Sequence, residues 1–326
     1  MNPTLIEKLA CPRTHAPLHA AENENALLET VDKTSRFPVV NGIPRFVPPE
    51  NYASSFGYQW NKFARLQLDS HNGSQFSRER FLSITGWQPA DLAGKCVLDV
   101  GCGSGRFAEI ALDFGARVVA MDLSSAVEAC KNNLGHHPNL DVVQASIYDL
   151  PFQPASFDFV YSIGVIQHTP DPRRSVMEIC RMVKPGGRIA LWIYERDWKS
   201  HIGTVGFKYL LRPLTKRLSR SGVEKFSNAV EALCWPILKF ARHAGLPGKI
   251  VMRLLPAASA HIQNVPLTEA DFREWVRLDT FDMYSPAHDH PQKFPTVASW
   301  LHEAGFENIQ RQPHGGISIT AARPTL

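Results

Sequence analysis

The chain has 326 residues, of which 44% are hydrophobic and 20% charged, and a formal net charge of +4. This composition excludes a wholly disordered chain, a collagen-like repeat and a disulfide mini-protein, and the length corresponds to about two domains. No apolar run approaches the roughly 20 residues of a membrane-spanning helix, and no basic-then-apolar leader opens the sequence. The six cysteines are scattered without a CxxC pair, which reads as free thiols in a reducing compartment, so a cytoplasmic address is expected.

In chain order, residues 1–50 read as a small unit. A short helix is expected over 5–9, then Cys11-Pro12, then strand, Asn-Gly turn and strand over 37–46. The pattern resembles a degenerate Trm112-like N-terminal unit, derived from a zinc ribbon. Thr14 stands where the second cysteine of a CPxC pair would be, and His15 and His19 do not complete four good ligands, so no metal is expected. Residues 51–93 form an aromatic and polar lid segment with a helix over 76–84.

From residue 95 the pattern alternates. Strands are expected over 96–100, 117–121, 141–144, 157–162 and 188–194, with helices over 106–114, 125–134 and 173–183 and a turn at 184–187. The repeat resumes with a helix over 296–304 and strands over 307–310 and 317–322. Such alternation implies an α/β fold, a mainly parallel sheet with helices on both faces. Residues 94–197 and 294–326 form this core, and 198–293 are inserted after its fifth strand as a helical cap. Between Arg196 and Arg253 there are twelve Lys or Arg against three Asp or Glu. A solvated helical face is the default reading of this segment. Phosphate binding, a nucleic-acid face, an anionic membrane surface or a homodimer contact are its alternatives.

The stretch Val97-Leu98-Asp99-Val100-Gly101-Cys102-Gly103-Ser104-Gly105-Arg106 is a buried strand, a glycine turn and a helix start. Ligands of open α/β sheets bind at such strand ends, and helix-start amides favour negative charge. A dinucleotide GxGxxG fingerprint needs a third glycine where Arg106 stands. The glycines at 101, 103 and 105 behind Asp99, with Asp122 ending the next strand, resemble instead the DxGxGxG loop of class I S-adenosylmethionine (SAM) methyltransferases. The segments Ala145–Phe152, Ser156–Val160, Ser162–Thr169 and Lys184–Arg188 extend the resemblance.

The resemblance implies a Rossmann-like, doubly wound seven-stranded sheet and SAM as cofactor. It places Asp99 near the methionine tail, the Gly101, Cys102, Gly103 and Gly105 loop around it, and Asp122 and Leu123 at the ribose. Ser146 and Ile147 would flank the adenine, with Ile163 and Gln167 beyond the fourth strand. Tyr58, Trp60 and Phe63 could close over the cofactor as a lid.

Methyl transfer asks the protein to position a nucleophile and take its proton. His168 sits after the fourth strand and suits a general base. Residues 279–291 read as a polar loop in which Asp282, Tyr284, His288 and His290 converge over the cofactor mouth as base and orienting groups. The function expected is methyl transfer to an O or N atom of a small-molecule or sugar-like acceptor. Methylation of RNA or another macromolecule is the alternative, although no nucleic-acid-binding motif is present. A SAM-binding regulatory protein without activity is a third reading.

Overall fold

The computed structural model describes residues 2–21, 24–48, 51–196 and 202–325. The expected boundaries at 50 and at 197–198 therefore fall on or beside residues outside that description.

The N-terminal unit opens with α1 (Pro3–Ile6), capped by the Asn2 side chain, which accepts from the Thr4 amide at 3.1 Å. Four strands follow: β1 (Leu18–Ala21), β2 (Glu24–Thr30), β3 (Arg36–Val40) and β4 (Ile43–Pro44), antiparallel and in sequence order. The β3–β4 turn was legible because Asn41 and Gly42 both take positive φ. The segments of β1 and β2 carry mostly Ala, Leu and Glu, with Thr30 their one β-branched residue, and non-local pairing makes them strands. The small sheet has no core to itself. Leu5, Leu9, Leu18 and Leu28 are buried in one cluster with Val143, Val160 and Ile189 of the main sheet and Phe152 of the connection after its strand ending at Gln144. Backbone bonds from Ala10 to Pro151 (3.0 Å) and from Phe46 to Gln144 (2.9 Å) tie the two together.

Helices α2 (Ser54–Lys62), α3 (Asp69–Asn72), α4 (Phe76–Thr85) and α5 (Pro89–Leu92) lead to the main sheet. Its alternating part runs β5 (Cys96–Val100), α6 (Arg106–Asp113), β6 (Arg117–Asp122), α7 (Ala126–Leu134), β7 (Leu140–Gln144), β8 (Phe157–Ile163), α8 (Pro172–Met182) and β9 (Val183–Ile193). After β9 come α9 (Thr204–Thr215), α10 (Arg220–Ala241), α11 (Gly245–Arg253) and α12 (Glu269–Tyr284), and then α13 (Phe294–Glu303), β10 (Glu307–Arg311) and β11 (Ile317–Ala322). The seven-stranded sheet has the order β10-β11-β9-β8-β5-β6-β7. β5 to β9 are parallel, and β11 is antiparallel to both neighbours.

All five residues of β5 are buried, as a central parallel strand covered on both faces requires. The chain leaves β5 toward β6 on one side and returns as β8 on the other. That switch point opens a crevice at the strand ends.

Two local expectations are corrected. The turn at 184–187 is drawn into β9, where the Gly186 amide bonds Arg323. The polar loop at 279–291 is helix as far as Tyr284. Phe272, Trp275 and Val276 bury one side of α12 in the cap core, Phe281 and Tyr284 bury another, and the Thr268 side chain caps the helix by accepting from Asp271 at 3.1 Å. Glu231 on α10 is fully buried and pairs with Arg273 (2.7 Å) and Arg277 (3.0 Å) on α12, pinning the two long cap helices together. Phe63 and Leu66 join the cap core of Leu238, Met252, Ile262 and Trp275.

The lid segment is anchored on the other side by Phe81, which is fully buried against Trp87, Phe107, Phe114 and Tyr161 with ring centroids 5.3–6.3 Å apart. Phe81→Ala is expected to cost about 3–5 kcal/mol of stability, read from the urea midpoint, whereas Phe81→Leu should cost about 1.5 kcal/mol or less.

Candidate functional site

A cavity of about 940 Å3 lies over the carboxyl ends of β5, β6, β8 and β9. Its floor is the glycine loop. The Gly101 and Cys102 amides both donate to the Met121 carbonyl (2.7 and 2.9 Å), which folds the loop against the end of β6. Gly101 has φ +87° and faces Val165 so closely that an added Cβ would lie 2.3 Å from it. Gly103 passes beneath Trp60, where a Cβ would sit 3.1 Å from the indole. Gly105 caps α6 at φ +96° and packs on Leu134 of α7, outside the cavity.

Asp122 stands at the end of β6 on the cavity wall. One carboxylate oxygen accepts from the Gly103 amide (3.0 Å), and the other from the amide and hydroxyl of Ser124 (2.8 and 2.7 Å). Leu123, Ile147 and Ile163 line the same wall.

Several expected cofactor residues lie elsewhere. Asp99, the penultimate residue of β5, does not line the cavity. It sits beside Tyr161 on the neighbouring strand, 2% exposed, with Oδ2 lacking a hydrogen-bond partner. Burial pushes its carboxyl up to about 8. Ser146 turns back to accept from the Tyr148 amide at 3.1 Å, and Gln167 is fully buried with its amide group unpartnered. Of Tyr58, Trp60 and Phe63 only Trp60 lines the cavity. The Tyr58 hydroxyl donates to Glu224 on α10 at 2.6 Å, and Phe63 is in the cap core.

The catalytic candidates divide along the same line. His168 and Asp282 line the cavity; Tyr284, His288 and His290 do not. His168 Nδ1 lies 3.1 Å from the His288 carbonyl, so it carries the proton and donates it, leaving Nε2 with the lone pair. Burial lowers the imidazole to about 4, so it is neutral at neutral pH. Phe56 and Tyr194 flank its ring at 5.2 and 5.4 Å.

On α12, Asp279 and Asp282 are three residues apart and face the cavity together. Burial raises Asp282 to about 6, while Gln59 donates to it at 3.0 Å. Tyr284 points into the cap and donates to the Pro256 carbonyl at 3.1 Å. His288 stacks with His290 and packs on Tyr52; both histidines serve through their backbones, His290 donating to the Gln167 carbonyl at 2.7 Å.

Sequence reasoning missed four cavity residues of consequence. Lys208 on α9 forms a buried 2.6 Å pair with Asp289 and lies over the Tyr194 ring. Gln59 holds Asp282. Arg80 stacks on Trp192 at 4.6 Å with its buried Nε unpartnered. Arg106 donates to Ser77 and Gln67 (both 2.9 Å) and keeps one buried nitrogen unpartnered. Burial, and then repulsion by Arg80, lower Arg106 to about 9. Among the described residues neither arginine forms an ion pair. The position of Arg106 directly after the glycine loop was the one signal available for any of them.

A profile for the family described as "Methyltransferase domain" matches residues 98–191. The ubiquinone biosynthesis O-methyltransferase of Thiobacillus denitrificans is 36% identical over 162 residues, 48% of this chain and 66% of that protein. The Pseudomonas syringae pv. tomato protein of the same name is 33% identical over 169 residues, 51% of this chain and 70% of that protein. The chain belongs to the class I SAM-dependent methyltransferases. It spans about two thirds of the length of these relatives. A solved O-methyltransferase family protein from Burkholderia thailandensis aligns over 77% of this chain and 56% of that chain, at 12% identity and a TM-score of 0.45.

The donor set of this methyltransferase-family cavity fits SAM. Bare loop backbone, a half-buried acid that can accept from ribose hydroxyls, apolar walls at Leu123 and Ile147 and guanidinium nitrogens without partners match the cofactor's chemical groups in turn.

Gly101→Ala is expected to lower SAM affinity at least about tenfold, because the added methyl must displace Val165 at a backbone angle that favours glycine. Titration calorimetry reads this. Gly115→Ala, at φ +80° and outside the cavity, should leave the affinity unchanged.

Proposed function

We propose that the chain transfers a methyl group from SAM to a hydroxyl oxygen of a small-molecule acceptor held in this cavity. The carrying observation is His168, a neutral imidazole on the cavity wall whose tautomer is fixed by the His288 carbonyl, with Nε2 free to take a proton. The names of the relatives support oxygen as the acceptor atom. The walls supplied by Phe56, Phe76, Trp192 and Tyr194 suit an apolar or aromatic acceptor.

Gly101, Gly103, Asp122, Leu123, Ile147 and Trp60 would hold SAM, which when bound supplies a methyl group on a cationic sulfur that departs as a neutral thioether. His168 accepts the hydroxyl proton as the oxygen attacks. Asp282, steadied by Gln59, accepts a hydrogen bond from the acceptor and orients it. Trp60 and Phe56 exclude water from the meeting point. Burial keeps the imidazole neutral rather than titrating near pH 6.5, and the Lys208–Asp289 pair beside it leaves this unchanged, Lys208 lowering and Asp289 raising the ring.

His168→Ala is expected to lower kcat by about 100-fold or more while leaving the SAM dissociation constant within about twofold. Equal losses in both would mark His168 as a cofactor contact and overturn its role as base. The methyl-accepting activity itself is found by supplying methyl-labelled SAM and a lysate separated into metabolites, lipids and macromolecules. Label in RNA or protein, and not in the small-molecule or lipid fraction, contradicts the proposal.

The pH profile separates the two acids. His168 is neutral above about pH 4, whereas Asp282 ionises as pH rises through about 6. Turnover should therefore rise through pH 6, and Asp282→Asn should remove that limb and leave a lower, flatter profile. A limb that persists in the variant assigns it to another group.

A further inference from the structure

The cap has an outer face that its own core does not use. Leu233, Ile237 and Phe240 recur at helical spacing on α10, exposed by 79%, 47% and 75%. Leu246, Ile250, Val251 and Leu254 continue along α11, and Leu210 and Leu214 lie along α9, all exposed. The elements adjoin. α10 packs on α11, and Thr204 at the start of α9 donates to the Arg253 and Leu255 carbonyls at the end of α11. Exposed apolar side chains gathered on adjoining helices in this number mark an interaction site rather than ordinary exposed leucines.

Its charge selects the occupant. Lys216, Arg217, Lys225 and Lys239 are exposed and outside the cavity. Among the described residues none of these four forms an ion pair. The two described acids of the segment are already engaged, Glu224 with Lys62 and Glu231 with Arg273 and Arg277. A second copy meeting this face would bring cations onto cations. An anionic lipid surface is complementary to both its components, since apolar side chains enter the acyl boundary while Lys and Arg stems reach the headgroups.

The same helices line the cavity on their inner side, through Thr204, Val205 and Lys208 of α9 and Lys249 and Arg253 of α11. No described helix is long and apolar enough to cross a membrane.

We propose that the outer face of α9–α11 docks the chain peripherally on an anionic lipid bilayer and so brings the cavity rim to acceptors held at that surface. The docking goes beyond the methyl-transfer reading and does not depend on it; only the delivery of acceptors to the cavity rests on that reading.

The test is co-sedimentation of the full chain with phosphatidylcholine vesicles and with vesicles containing about one third phosphatidylglycerol. Partitioning onto the anionic vesicles is expected, falling at least tenfold between low salt and 0.5 M salt. The double variant Phe240→Ser and Leu246→Ser should lose at least tenfold in binding, and Lys225→Glu with Lys239→Glu should do the same, all four positions being exposed and outside the cavity. Equal binding to both vesicle types, or binding unmoved by either variant, overturns the proposal. So does a wild-type dimer in light scattering that the serine variant dissolves while no vesicle is bound. None of these readouts needs turnover, so failure here is separable from failure of the proposed chemistry.

Discussion

The site depends on how tightly the chain must turn where it leaves β5. The Gly101 and Cys102 amides are both committed to one carbonyl, that of Met121, and the Gly103 amide to the Asp122 carboxylate. These bonds fix the loop to the end of β6, so the loop backbone and the acid are held as one rigid wall. No side chain fits at Gly101 against Val165, and little room is left at Gly103 under Trp60. The segment carrying Trp60 is placed by the same contact: Gly57 lies against Ser125, and Asn61 donates to the Ser125 carbonyl at 2.8 Å. Floor, acid and lid are thus consequences of one turn.

The second half of the cavity comes from the cap. Glu231 between Arg273 and Arg277 sets α12 against α10, with Phe272, Trp275 and Val276 in the cap core and Phe281 and Tyr284 in a second apolar cluster with Val223. That rotation of α12 turns Tyr284 away from the cavity and brings Asp279 and Asp282, three residues apart, to its wall. A carboxylate in this setting is desolvated, which is why Asp282 holds its proton to about pH 6.

Much of the sheet was legible because a buried parallel strand leaves a short apolar run and a helix leaves a 3.6-residue stripe. β5, α6, β6, α7 and β8 carry those marks, and Gly101, Gly103 and Asp122 followed from the loop they frame. What the sequence does not show is direction. Asp99 belongs to the same motif, and strand alternation sets it beside Tyr161. The aspartates of 279–291 disguised a helix end as a loop, and helical rotation then separated Asp282 from Tyr284. His288 and His290 looked like chemistry and act instead through their backbones, His288 fixing the His168 tautomer. Arg80, Gln59 and Lys208 reach the cavity from elements far apart in the chain, and no local pattern announces such convergence.

The central claim is that loop, acid and lid form a single cofactor wall. Hydrogen exchange of the full chain with and without SAM tests it most directly. The account predicts slowed exchange at 101–105, at 122–124 and at 54–60 together, with the β1–β4 sheet unaffected. Protection confined to another part of the chain, or at the loop without the lid, would contradict it.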